Sequence, residues 1–230
     1  ELDMLEKVRK EFKKMVVLLN VGGLVDMSFV DKYAPDSVLY VWQGGMTGGT
    51  GTAAVLTGKT SPSGKLPDTI AYNVSDYPSD PYFGDKERNF YKEDIFVGYR
   101  WFETFAKDKV RYPFGYGLSY TTFDIKPTNT TGNGIEVTLS VNVTNTGKYS
   151  GKEVVQVYCE APQGKLGKAA RILCGFEKTK ELAPGESQEL EIKIQLSDLM
   201  SYDDSGVSGN LSCWVMEAGD YTFYVGNDVR

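Results

Sequence analysis

Tyr112-Pro-Phe-Gly-Tyr-Gly-Leu-Ser-Tyr-Thr-Thr-Phe123 separates two kinds of pattern in this sequence. Ahead of it, short apolar runs alternate with helix-like segments. Behind it, the apolar residues recur with a period of two. Pro113 has no N–H to give to a β-ladder, and Gly115 and Gly117 permit positive φ. The aromatic residues of the stretch can each bury a large area. We read it as a buried connector between an α/β unit and a β-sandwich. The alternative is an aromatic turn inside one domain.

Toward the N-terminus, Leu2, Leu5, Val8 and Phe12 fall on one face of an amphipathic helix within Glu1–Lys14. Met15-Val-Val-Leu-Leu19 is an unbroken apolar run, as expected of a strand buried on both faces. A helix is expected within Met27–Tyr33 and a second buried strand over Ser37–Trp42. A glycine-rich loop, Gln43–Gly51, then opens a helix over Thr52–Thr57. This order is that of a doubly wound parallel sheet. Two strands do not complete such a sheet, so the expectation is the tail of a larger domain that begins before Glu1. Thr69–Phe90 reads as a long ordered loop, and Glu93–Phe105 as a short helix or an extended link.

Toward the C-terminus, Ile135–Val143 alternates without error. Val154–Cys159, Arg171–Lys178, Glu189–Leu196 and Tyr221–Val225 follow, divided by turns such as Ala183-Pro-Gly185 and Asp203-Asp-Ser-Gly206. About seven short strands in this span point to an immunoglobulin- or fibronectin-like sandwich.

The 230 residues are 41% hydrophobic and 24% charged, which is ordinary for a globular protein. A net charge of −6 argues against nucleic-acid binding. No apolar run reaches the roughly 20 residues of a membrane-spanning helix. The sequence contains no histidine. That removes Ser-His-Asp and Cys-His catalysis and imidazole metal sites, so chemistry must rest on carboxylates, Lys, Tyr or a cofactor. Cys159, Cys174 and Cys213 lack paired spacing and are expected as reduced, buried thiols, which leans toward a cytoplasmic location. Asn-x-Ser/Thr triplets at Asn73, Asn129, Asn142 and Asn210 keep a secreted protein as the alternative.

Gly49-Thr-Gly51-Thr-Ala-Ala54 matches a dinucleotide fingerprint, but the turn from the preceding strand is too long and no acidic strand end follows. Gly58-Lys59-Thr60 resembles the end of a P-loop and fails, because Ala53 stands where its first glycine belongs. Glu87-Arg88 and Glu93-Asp94 place charges in the aromatic loop, where surface ion pairs are the plain alternative. Trp42 ends the second strand, the edge at which open parallel sheets bind ligands. Its faces suit a sugar ring; core packing is the competing role.

Val17-Leu-Leu-Asn-Val-Gly-Gly23, Val38-Leu-Tyr-Val-Trp-Gln-Gly-Gly45, Thr60-Ser-Pro-Ser-Gly-Lys-Leu-Pro67, Glu93-Asp-Ile-Phe-Val-Gly-Tyr-Arg100 and Tyr112–Phe123 come in one order. Together they resemble glycoside hydrolase family 3 of the β-glucosidase type. Leu173-Cys-Gly-Phe-Glu-Lys178 with Leu182-Ala-Pro-Gly185 resembles that family's fibronectin type III-like domain. The resemblance implies an α/β partial doubly wound sheet followed by an all-β fibronectin type III-like sandwich. Residues 1–80 would be the C-terminal part of the α/β sandwich domain, 81–119 an aromatic-rich connector and 120–230 the fibronectin type III-like domain.

The resemblance also implies a retaining β-glycosidase whose nucleophilic Asp lies on a TIM-like barrel. Its acid/base Glu lies in a Gly-Glu-Gly-like loop ahead of the segment matching Met15–Asn20. This chain contains neither feature, so its expected partners are the barrel and the upstream sandwich segment, with a glycoside as substrate and a homo-oligomer left open. Thr47 stands where many members carry an acidic residue. The end Glu217–Arg230 resembles members in which the sandwich precedes the barrel. Expected substrate-binding residues are Trp42, Gln43, Glu87 and Arg88, with no catalytic residue, metal or cofactor in this chain. The alternative is a non-catalytic carbohydrate-binding or adhesive module. The sandwich's aromatics, falling mostly in core-facing positions or at strand ends, speak against it.

Overall fold

The structure, a computed structural model, describes residues 1–230. The chain divides into two compact units, residues 1–60 with 70–90, and residues 61–69 with 91–230.

The first unit runs α1 (Leu2–Glu11), β1 (Val16–Leu19), α2 (Phe29–Tyr33), β2 (Ser37–Tyr40), α3 (Gly48–Leu56) and β3 (Ile70–Ala71). β1 and β2 pair in parallel, from Val16 opposite Ser37 to Leu19 opposite Tyr40. The Asp36 carboxylate accepts the Met15 N–H at 2.9 Å and pairs with Arg9 at 3.1 Å, which ties the two strand starts together. Met15, Met27, Phe29 and Tyr33 are buried. β1 departs from the sequence expectation: Val16 and Leu18 are exposed, while Val17 and Leu19 are half-buried. Only one face of β1 is partly covered within this unit. The 69–90 stretch is also less featureless than expected, with β3 and two single 3₁₀ turns, Val74–Asp76 and Asp80–Tyr82.

The second unit adds α4 (Tyr99–Phe105) and β4 (Val110–Tyr112), then β5 (Phe123–Gly132), β6 (Glu136–Asn145), β7 (Val154–Glu160), β8 (Ile172–Lys178), β9 (Ser187–Gln195), β10 (Ser201–Asp203), β11 (Cys213–Val215) and β12 (Thr222–Gly226). Two antiparallel three-stranded sheets form, β5-β6-β9 and β12-β7-β8, beside a β10-β11 hairpin. Leu139, Val141 and Val143 of β6, Val155, Val157 and Cys159 of β7, and Leu190, Ile192 and Ile194 of β9 fill the core with Leu182 and Leu199. Every second residue of β6 and β9 points into it, as the alternation predicts.

β5 escapes the sequence reading because most of it is polar and it contains Pro127. Both facts suit its place: it is an edge strand, its register shifts between Pro127 and Asn129, and its second half is exposed.

β7 is buried along nearly its whole length, on both faces. The Tyr112–Phe123 stretch explains this. It belongs wholly to the second unit, where Phe114 stacks on Tyr99 with centroids 4.6 Å apart, and both rings meet the buried Tyr158 edge-on. Gln156 donates to the Gly115 and Asn227 carbonyls and accepts the Tyr158 hydroxyl at 2.5 Å. The stretch is held in turn by residues 61–69: Leu66 and Tyr116 bond at 2.8 Å, as do Gly115 and Leu66. Phe114, together with Tyr99, therefore covers the outer face of β7 at Tyr158.

Candidate functional site

The C-terminal ends of β1 and β2 lead into two loops that lean on each other. The Val41 N–H extends the parallel ladder by one bond, to the Leu19 carbonyl at 2.9 Å. The Tyr40 hydroxyl donates to the Gly23 carbonyl at 2.5 Å, which anchors the loop after β1. Gln43 lies over Gly22 so closely that a Cβ there would stand 2.9 Å from Gln43 Nε2. A Cβ on Gly44 would stand 2.9 Å from the Gly48 Cα, so the loop after β2 folds back on the start of α3.

Trp42 sits where these loops meet. Its backbone is left-handed, with φ +54°, a conformation that costs a non-glycine residue about 1–2 kcal/mol. Its ring meets Tyr40 at 4.4 Å between centroids, tilted by 43°. Trp42 is half-buried and Gln43 exposed, and neither the indole N–H nor the Gln43 amide has a hydrogen-bond partner in the chain. An aromatic face and uncommitted donors thus stand together at the strand ends, held by strained backbone. Strain of this kind collects at binding sites.

Glu87 and Arg88 belong to the same unit. They form the exposed end of a turn built by Asp85, whose Oδ1 accepts both of their N–H groups, at 2.8 and 2.9 Å. Those bonds hold the Asp85 carboxyl below its ordinary range. Tyr82 and Phe90 close the base of this loop with centroids 5.1 Å apart. No hydrogen bond, ion pair or ring contact joins Glu87 or Arg88 to Trp42 or Gln43. The four expected residues are therefore not joined by any direct contact between the two pairs.

The fingerprint Gly49–Ala54 lies inside α3, which begins at Gly48. The Gly51 N–H is already bonded to the Thr47 carbonyl at 3.2 Å, so this is helix backbone and not a phosphate loop. Glu93 and Asp94 sit in a turn, with the Glu93 carbonyl accepting the Phe96 N–H at 2.7 Å and Asp94 at φ +49°. No group of three or more Cys, Asp or Glu side chains is placed to hold a metal ion, and no helix is long and apolar enough to cross a membrane. The positive φ of Trp42 and its pairing with Tyr40 were beyond sequence reasoning, although the flanking glycines signalled a crowded turn.

A parallel α/β unit with a loop site at its strand ends is followed in sequence by a two-sheet sandwich. Residues 1–120 match the glycosyl hydrolase family 3 C-terminal domain and residues 153–229 a fibronectin type III-like domain. The chain belongs to glycoside hydrolase family 3. It is 62% identical to a β-glucosidase of Ruminococcus albus, over 100% of this chain and 24% of that protein. It is 46% identical to β-glucosidase A of Butyrivibrio fibrisolvens, over 100% of the chain and 30% of that protein. Among solved structures, a Paenibacillus barengoltzii β-glucosidase superposes with a TM-score of 0.96 at 52% identity, covering 100% of this chain and 26% of that one. β-Glucosidase 3B of Thermotoga neapolitana, in complex with α-D-glucose, gives 0.89 at 42% identity, with 99% and 32% covered. The chain thus spans under a third of the length of each of these relatives.

Proposed function

We propose that this chain is part of a retaining β-glycosidase acting on β-glucosides, in which it forms one wall of the active-site cleft and scaffolds the other domains. Its close relatives are β-glucosidases, which supports the activity. The observation that carries its own role is Trp42: a strained, half-exposed ring with a free N–H at the C-terminal end of a parallel strand, beside the free amide of Gln43. Such a pair can stack on the apolar face of a pyranose and bond its hydroxyls.

Double displacement needs two carboxylates, one as nucleophile and one as acid/base. In this reading the nucleophilic Asp lies on a barrel and the acid/base Glu on a sandwich segment that precedes the residue matching Met15. The 77–90 loop, with Glu87 and Arg88 at its tip, helps shape the leaving-group side.

The test is hydrolysis of an aryl β-glucoside by this chain alone and after mixing with a polypeptide carrying the barrel. Activity only in the mixture is the expected result. Activity of the chain alone would place the catalytic carboxylates here and overturn the division of labour. In the complete enzyme, Trp42→Ala should raise KM or lower kcat by about tenfold or more; unchanged values for both would remove Trp42 from the cleft.

A further inference from the structure

Several large aromatic side chains of the second unit stand outside its core, among them Tyr149, Phe176, Tyr202 and Trp214, and the last two stand together. Tyr202 of β10 and Trp214 of β11 are directly opposed across the hairpin. They are 50% and 65% exposed, and their rings meet at 5.5 Å in a T-shaped arrangement. The Tyr202 hydroxyl and the Trp214 indole N–H make no hydrogen bond within the chain.

The hairpin that presents them is rigidly built. Asp203, next to Tyr202 and therefore on the opposite face of the strand, is fully buried. Its Oδ1 accepts the Ser205 N–H and hydroxyl, each at 3.0 Å, and the Gly206 N–H at 2.7 Å; its Oδ2 accepts the Ser208 N–H at 2.8 Å. The Asp203 carbonyl takes the Ser212 N–H at 2.7 Å, and Ser212 is held at φ +57°. A buried carboxylate thus winds the 204–212 loop tightly around itself, and the two rings face outward from a fixed frame.

The size and chemistry of the exposed surface select its occupant. Two rings at these exposures offer on the order of 250 Å², against roughly 800 Å² per partner in a stable protein interface. Val207 and Leu211 at the loop tip add apolar surface but leave the total well short of that. A second copy of the chain would gain too little here. A ligand of one or two rings fits the area, and the unpaired hydroxyl and N–H at the ring edges favour one that carries its own hydroxyls.

We infer that the Tyr202–Trp214 pair is a surface binding site for β-linked glucose oligomers. It stacks one or two pyranose rings and bonds their hydroxyls through Tyr202 Oη and Trp214 Nε1. The choice of glucose rests on the β-glucosidase reading; the site itself does not.

The complete enzyme should be run by affinity electrophoresis in gels containing soluble mixed-linkage β-glucan. For the gels the enzyme is first inactivated with an aryl 2-deoxy-2-fluoro-β-glucoside, which blocks the catalytic site covalently, and the excess is removed so that no free sugar competes at the rings. The wild type should be retarded, and Trp214→Ala should bind about tenfold or more weakly. Trp214→Phe should keep part of the binding, and it serves where the alanine variant fails to fold. Aryl β-glucoside hydrolysis should be unchanged in both variants, which separates this site from the cleft. An unretarded wild type, or variants retarded as strongly as wild type, would overturn the inference. So would a change in sedimentation coefficient on losing Trp214, since that would show a protein covering the rings. Absence of hydrolysis in the wild type would instead count against the proposed function.

Discussion

Lys65 Nζ lies 2.8 Å from Glu153 Oε1, and both side chains are almost wholly withdrawn from water. Glu153 also accepts the Val154 N–H at 2.8 Å and the Asn227 amide at 3.3 Å, and Lys65 donates to the Gly117 carbonyl at 3.3 Å. The pair fastens the 61–69 segment to the start of β7. Removing either partner leaves a buried charge, so Glu153→Gln or Lys65→Met should cost roughly 3–5 kcal/mol in urea unfolding. The double variant Lys65→Met/Glu153→Leu should cost less than the two singles together. Additive losses would show that the two groups are not coupled.

Glu217 reaches the buried Lys168 ammonium and also accepts the Lys165 N–H at 2.7 Å. The Lys168 hydrogen bond, followed by that of Lys165, holds the Glu217 carboxyl below its ordinary value. The folded state therefore binds this proton less readily than the unfolded chain. The stabilisation is fully present above the unfolded value of about 4.3 and is lost as pH falls through the lower folded value. Glu217→Gln should be less stable than wild type at pH 7, and the difference should shrink steadily as the solution is acidified below about pH 4.3. A constant difference down to pH 2 would contradict the linkage.

Two glycines should respond to alanine with opposite signs. A Cβ on Gly117 would stand 2.3 Å from the Gly64 carbonyl oxygen, with backbone on both sides of the contact. Gly117→Ala should destabilise by about 1–3 kcal/mol. Gly49 lies within α3 with open space where a Cβ would go. Gly49→Ala should stabilise by up to about 1 kcal/mol through helix propensity. Thermal unfolding of both variants checks the pair of signs.

Trp42 offers a test of strain apart from function. At φ +54° alanine keeps the backbone penalty and glycine removes it. Trp42→Gly should therefore be more stable than Trp42→Ala by about 1 kcal/mol, although both lose the contact with Tyr40. Equal stabilities would mean that the loop relaxes out of the left-handed region.

The three thiols should separate by reactivity. Burial pushes Cys159 up to about 11 and Cys174 up to about 12, so almost no thiolate forms at either near neutrality. Cys213 is half-exposed at the edge of the β10-β11 hairpin. One thiol should react quickly with a disulfide reagent at pH 8, and the other two only on denaturation. Three equal rates would show that β7 and β8 open readily.

The alternation in β6 and β9 was legible because both strands have one face on a core and one toward solvent, which a period of two reports directly. The parallel pairing of β1 and β2 followed from the strand-helix-strand order. β5 was not legible, since an edge strand needs no apolar face and tolerates Pro127 at an irregularity. The Asp203 loop read as a plain turn, because sequence shows that a carboxylate is present but not that four bonds converge on it. At the candidate site, Trp42 and Gln43 could be chosen from their place after an apolar run, whereas the lack of a direct contact between them and Glu87 or Arg88 could not be seen.

The sequence by itself determined the family, the order of an α/β unit before a β-sandwich, and the absence of imidazole chemistry, because these depend on residue type and spacing alone. Only the tertiary structure decided that Phe114 covers β7, that Trp42 is held in a left-handed turn, and that Tyr202 and Trp214 face water. Each of these depends on what lies across space from the residue: Tyr99 and Tyr158 beside Phe114, Gly22 beneath Gln43, and a buried Asp203 behind the hairpin. Periodicity states which side of an element avoids water, but the neighbour that covers it is brought in by the fold.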